Sequence, residues 1–129
     1  MKLIHCADLH LDSRMESGLP PAKAQERRME LLHTFVNMVE CASSEGVEAV
    51  LLCGDLFDTE QVSARTNSVV RNTIEAHPEI MFYYLRGNHD RMERTSTDMI
   101  KNLRTFTDQW TTYEQDTITF TGMELSGEW

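Results

Sequence analysis

The sequence predicts an α/β fold, a parallel βαβαβ core followed by C-terminal strands. Two observations carry that prediction. First, three short apolar runs, at residues 3–7, 47–53 and 80–85, alternate with two longer stretches of helical periodicity, the pattern of buried strands joined by crossover helices. Second, each apolar run leads directly into a short polar motif: Asp8-Leu9-His10, Gly54-Asp55-Leu56-Phe57-Asp58 and Gly87-Asn88-His89-Asp90. In open α/β sheets the carboxyl ends of parallel strands face one crevice, so motifs far apart in the chain meet there.

The connecting elements follow in order. Pro20-Pro21 closes the first loop, and residues 22–45 read as a helix in which Met29, Leu32, Phe35, Val36 and Val39 recur at helical spacing. Gly46 stands where a helix-terminating glycine belongs. A second helix is expected over residues 62–76, with Val69, Val70 and Ile74 inward and Pro78 beyond its end. Right-handed crossovers then make the three strands parallel. Beyond the third motif, residues 96–106 read as a short helix, and residues 110–113 and 117–120 as strands in which Ile118 and Phe120 alternate with polar neighbours. No repeat, low-complexity segment or linker divides the chain, so one domain or subdomain is expected.

Composition narrows the class. An apolar share of 40% and a charged share of 26% are ordinary for a soluble globular unit, and the length suits one domain. No apolar stretch approaches the roughly 18 residues of a membrane span, and the N-terminus enters a strand without a signal pattern; a cytoplasmic protein with no membrane partner is expected. Cys6, Cys41 and Cys53 lack C-x-x-C spacing and read as reduced thiols, mostly small core residues. There is no G-x-x-x-x-G-K-[ST] loop, which disfavours P-loop nucleotide hydrolysis.

A net charge of −9 argues against a broadly basic nucleic-acid surface. Its distribution softens the objection. Arg86, Arg91, Arg94, Lys101 and Arg104 gather beside the third motif, while the stretch from Trp110 onward carries only acids. A solvated helix face remains the commoner reading of such a run, and divalent ions in the crevice would add positive charge of their own.

The residues brought to the strand ends are Asp8, His10, Asp55, Asn88 and His89. Carboxylate, imidazole and amide oxygen form a mixed ligand set suited to Mn(II), Fe(II) or Zn(II). Each residue has a plainer reading. An Asp after a strand is often a helix N-cap, Gly54-Asp55 and Gly87-Asn88 could be turn dipeptides, and His10 alone could be a loop histidine. The ordered conjunction of three motifs after three strands is what favours a metal site. His33 and His77 fall in helical patterns away from the motifs, and His5 is expected to pack beneath the site.

In its order D-x-H, G-D-x-x-D, G-N-H-D, the sequence resembles the calcineurin-like metallophosphoesterase superfamily, and the wording from Ile4 to Asp12 and from Gly54 to Asp58 is similar to that of SbcD-type DNA repair exonucleases. The resemblance implies a four-layer α/β/β/α sandwich. It also implies that Asp8 and His10 bind one metal, that Asp55 bridges two, and that Asn88 binds the second. His89 would face the scissile phosphate, with Asp58 and Asp90 orienting it and the ligands. The cofactors implied are two divalent ions, Mn(II) first, with Fe, Zn and Mg also compatible. Two such ions can each bind a phosphate oxygen and supply a hydroxide nucleophile for in-line displacement.

The family pattern further contains a later histidine and a G-H-x-H motif. The five histidines here, His5, His10, His33, His77 and His89, all precede them, so residues 1–129 are expected to form the N-terminal part of the domain. The function implied is a metal-dependent phosphodiesterase acting on DNA, with DNA, an SbcC-type ATPase and a second copy as partners of the whole protein. The alternatives are a phosphatase or cyclic-nucleotide phosphodiesterase of the same superfamily, or an inactive fragment or assembly module.

Overall fold

The computed structural model describes residues 1–13, 18–57, 63–87 and 100–125. Four parallel strands form one sheet in the order of their appearance: β1 (Leu3–Cys6), β2 (Ala49–Cys53), β3 (Met81–Leu85) and β4 (Leu103–Thr105). The register pairs Ile4 with Val50, Val50 with Phe82, and Phe82 with Leu103. Helix α1 (Pro21–Ser44) connects β1 to β2, and α2 (Ala64–Glu75) connects β2 to β3.

Both helices cover the same face of the sheet. Strand residues two apart share a face, so Val50, Leu52, Phe82 and Tyr84 meet Phe35, Val39 and Ala42 of α1 and Val70 and Ile74 of α2 in one buried core. The odd-numbered partners, Ala49, Leu51, Met81, Tyr83 and Leu85, face the other way. There they are covered by an antiparallel hairpin of β5 (Thr111–Gln115) and β6 (Ile118–Gly122). The rings of Tyr83 and Phe120 stack 4.4 Å apart, and Phe106 meets Tyr113 edge-on at 5.4 Å. Among the described residues the result is three layers: helices, parallel sheet, hairpin.

Local chemistry explains the boundaries. Pro21 occupies the first helical position of α1, where its missing N–H is no loss. At the other end the Gly46 N–H reaches Ser43 O and the Val47 N–H reaches Ala42 O, with Gly46 at φ 70, a glycine-terminated Schellman closure. Helix α2 starts at Ala64, two residues later than the periodicity alone implies, because the Ser63 hydroxyl accepts from the Thr66 N–H and caps it.

The helix expected over residues 96–106 is corrected for its described part: residues 103–105 are β4. Ile100, Leu103 and Phe106 are spaced like a helical stripe, yet Ile100 and Leu103 enter the helix-side core while Phe106 enters the hairpin side. An odd spacing in a strand sends side chains to opposite faces, and a buried sheet wants both. Tertiary pairing with β3 decides the matter, aided by Asn102, whose buried Nδ2 donates to the carbonyls of Ile74, His77 and Ile80. The two later strands appear as expected, shifted by one or two residues and joined through Asp116 at φ 55.

Candidate metal centre

The loops after β1 and β2 do not merely end near each other; their backbones are zipped together. The Asp8 N–H donates to Gly54 O (3.1 Å), the His10 N–H to Asp55 O (2.9 Å) and the Leu11 N–H to Leu56 O (2.8 Å), and a parallel bridge pairs Leu11 with Phe57. Leu11, Leu56 and Phe57 are buried in the helix-side core. The apolar residues between the polar ones thus pin the loops, and the polar ones are left at the surface of the crevice.

Asp8, His10, Asp12 and Asp55 all adopt left-handed backbone, with φ of 56, 48, 63 and 49. Asp and His tolerate that region better than most residues. Still, each such residue costs about 1–2 kcal/mol, and four of them within two loops mark a backbone held by its surroundings for the sake of side-chain placement. The outcome is convergence: one ligand atom from each of Asp8, His10 and Asp55 lies within 4.8 Å of the others. Ligand atoms bonded to one first-row ion at about 2.1 Å stand roughly 3–4 Å apart, so this set lies within about an ångström of a ligating arrangement. Two carboxylates and an imidazole fit a divalent cation.

Two glycines make room, for different reasons. Gly54 stands at φ +81, and its missing Cβ would meet nothing nearer than 3.8 Å, so conformation is what it supplies. A Cβ on Gly87 would lie 2.6 Å from both the backbone N and the Oδ1 of Asp55. Gly87 is there for space. The Gly54 N–H also donates to Leu85 O at 2.7 Å, so the exits of β2 and β3 are tied to each other as well.

Among the sequence-predicted site residues, Asp8, His10 and Asp55 are brought together. Asn88, His89, Asp58 and Asp90 lie outside the described residues. His5 is exposed on β1 rather than packed beneath the site. Cys6 and Cys53 are half-buried free thiols and Cys41 is an exposed one, so the cysteines are less buried than expected. Burial, and secondarily Cys53, pushes the Cys6 thiol up to about 11, and no cysteine joins the ligand group among the described residues.

Two further carboxylates had no clear sequence signal. Asp12 reaches across to α2, accepting from the Ser63 N–H at 2.7 Å and from the Thr66 hydroxyl at 3.3 Å; its carboxylate sits favourably at a helix N-terminus. Glu124, 8% exposed, receives two bonds from Arg86: Nε to Oε1 at 2.8 Å and Nη2 to Oε2 at 2.7 Å. Arg86 therefore faces a buried carboxylate. Of the rest of the basic run, Arg104 donates to the Lys101 carbonyl.

A parallel sheet with its helices on one face, a second β layer on the other, and Asp8, His10 and Asp55 gathered at the strand ends make an α/β architecture with a group that could hold a divalent cation. A family profile places it further: the pattern described as calcineurin-like phosphoesterase matches residues 1–127. The chain belongs to that metallophosphoesterase family. It is similar to the uncharacterized metallophosphoesterase YhaO of Bacillus subtilis, 32% identical over 82% of this chain and 28% of that protein. It is also similar to the DNA double-strand break repair protein Mre11 of Aeropyrum pernix, 38% identical over 50% of this chain and 14% of that protein. For Mre11 of Sulfolobus acidocaldarius the figures are 28%, 73% and 24%. The chain thus spans between 14% and 28% of these relatives' length. Among the described residues no helix is long and apolar enough to cross a membrane.

Proposed function

We propose that this chain carries the first metal-binding half of a metal-dependent phosphodiesterase that acts on DNA. The observation that carries the reading is the meeting of Asp8, His10 and Asp55 within 4.8 Å at the carboxyl ends of β1 and β2. Similarity to Mre11 proteins, described as DNA double-strand break repair proteins, supports DNA as the substrate class. Asp55 would be the ligand shared by the two ions in this reading, as the resemblance to the family implies, and Gly87 leaves the space its carboxylate occupies.

The chemistry that a bound divalent pair supplies is Lewis acidity toward phosphoryl oxygens and acidification of a water molecule. The residues' own part is positioning. Asp8 and His10 present oxygen and nitrogen from a loop whose amides are fixed on β2's exit, and Asp55 presents its carboxylate against Gly87. His89, two residues beyond Gly87, is proposed to protonate or stabilise the leaving oxygen, with Asp58 and Asp90 orienting the ligands. Asn88 is proposed to bind the second ion, and Mn(II) is the ion we would supply first. An SbcC-type ATPase and a second copy of the chain are proposed partners of the whole protein.

The test is Mn(II)-dependent hydrolysis of bis(p-nitrophenyl) phosphate and of linear duplex DNA, with Asp55→Asn as the blank. Diester and DNA turnover lost in the variant would support the reading. Turnover of phosphomonoesters alone would replace it with a phosphatase, and metal binding without any turnover would replace it with a metal-holding module.

A further inference from the structure

Three consecutive residues at the exit of β3 are each anchored to a different part of the molecule. The Leu85 carbonyl accepts from the Gly54 N–H at 2.7 Å. Arg86 holds Glu124 through two bonds of 2.8 and 2.7 Å. Gly87 lies against Asp55 so closely that a methyl group would overlap its backbone nitrogen and its Oδ1, both at 2.6 Å. Glu124 in turn follows β6, and its own N–H donates to Thr107 O at 2.7 Å. An unbroken path therefore runs from the hairpin layer through Glu124, Arg86 and Gly87 to Asp55.

A buried ion pair is a weak device for stability, because desolvating both charges offsets most of the attraction. Geometry is what a two-pronged arginine–carboxylate contact supplies: both planes are fixed at once. Glu124 is 8% exposed, and the Arg86 side chain is 22% exposed, so solvent screens the contact little. The pair sits one residue from the glycine that limits where Asp55 can be.

We infer that Glu124 is a positioning residue for the metal centre: acting through Arg86, it sets the exit of β3 and thereby the placement of the Asp55 carboxylate. The inference rests on the metal-site reading given above. Outer-shell carboxylates of this kind matter to a centre without touching the ion, and here the route is backbone placement rather than a bond to the ligand itself.

The experiment compares the full chain with Glu124→Gln, which keeps the shape and removes the charge, in two measurements: Mn(II) affinity by calorimetry, and residue-resolved amide exchange of the metal-free protein. The expected result is about tenfold weaker Mn(II) binding, in the 10–100-fold range of outer-shell changes. It comes with roughly tenfold faster exchange at Gly54, and with Val50 and Leu52 unchanged. The double variant Arg86→Gln/Glu124→Gln should recover part of the affinity, as a neutral amide pair replaces a lone buried charge. Unchanged affinity and exchange in Glu124→Gln would overturn the inference. So would exchange rising equally at Leu52, which would make the pair a general stabiliser. Should the parent chain bind no Mn(II), the metal reading fails, and Gly54 exchange alone decides whether Glu124 holds the β3 exit. Arg86→Lys, which keeps the charge and loses the fork, gives the same readouts if Glu124→Gln does not fold.

Discussion

Replacing Gly87 with alanine puts a methyl group 2.6 Å from the Asp55 backbone nitrogen and 2.6 Å from its Oδ1, about 0.8 Å short of the 3.4 Å where ordinary contact begins. One partner is backbone held by neighbouring hydrogen bonds, and the other is a proposed metal ligand, so neither yields freely. Overpacking of this kind costs about 1–3 kcal/mol. Gly87 is not among the residues with left-handed backbone, so alanine there also stiffens the unfolded chain, which returns about 0.4–1 kcal/mol. The clash wins, leaving a net loss of about 1–2 kcal/mol. With a urea m value of about 2 kcal/mol/M, the unfolding midpoint should fall by roughly 0.5–1 M. Mn(II) affinity should fall as well, because the Asp55 oxygen must move by a large fraction of an ångström. A Gly87→Ala protein that is as stable as its parent and binds Mn(II) equally well would refute the reasoning.

Asp55→Asn should weaken Mn(II) binding more than Asp8→Asn, since only Asp55 is proposed to touch both ions; equal losses in a titration would remove the bridging assignment. Asn102→Ala should lower stability by about 1–3 kcal/mol by leaving the buried carbonyls of Ile74 and Ile80 without their side-chain donor, read as a shift of the urea midpoint with unchanged metal affinity. Glu79 is held below the ordinary carboxylate range, first by the Ser43 hydroxyl, then by its own backbone N–H and by His77. A depressed carboxylate stabilises the fold above its unfolded pKa, and that contribution disappears as pH falls through the folded value. Ser43→Ala should therefore raise the Glu79 pKa seen by NMR titration; an unmoved value would assign the depression elsewhere.

Much of this could be read from the chain because the main signals are local. Apolar runs followed by Asp8-x-His10 and Gly54-Asp55 name both the strands and the polar residues that meet at their ends, and Gly46 and Pro21 name the ends of α1. What escaped reading is non-local. The strand at Leu103–Thr105 has helix-like spacing, and only its pairing with β3 resolves it. The left-handed backbone of Asp8, His10 and Asp55 is enforced by hydrogen bonds between loops more than forty residues apart in sequence, which no window of sequence contains. Glu124 looks like one more acid in an acidic stretch until Arg86 is seen beside it. Gly87 reads as a turn residue, and its true constraint is another residue's carboxylate.

Asn102 has a consequence for the order in which the molecule is made. Its one amide nitrogen holds the last turn of α2, the following loop and the entry to β3 by way of Ile74, His77 and Ile80, all of which leave the ribosome well before it. During synthesis from the N-terminus, the α2–β3 connection has only its own turn bonds, and lacks these three, until residue 102 arrives. Chains arrested before Asn102 should show fast amide exchange at Ile80, whose N–H donates to His77 O. Chains extended through β4 should show it slow. The vectorial assembly of the β3 side of the site would then be timed by a single asparagine that takes no part in its chemistry.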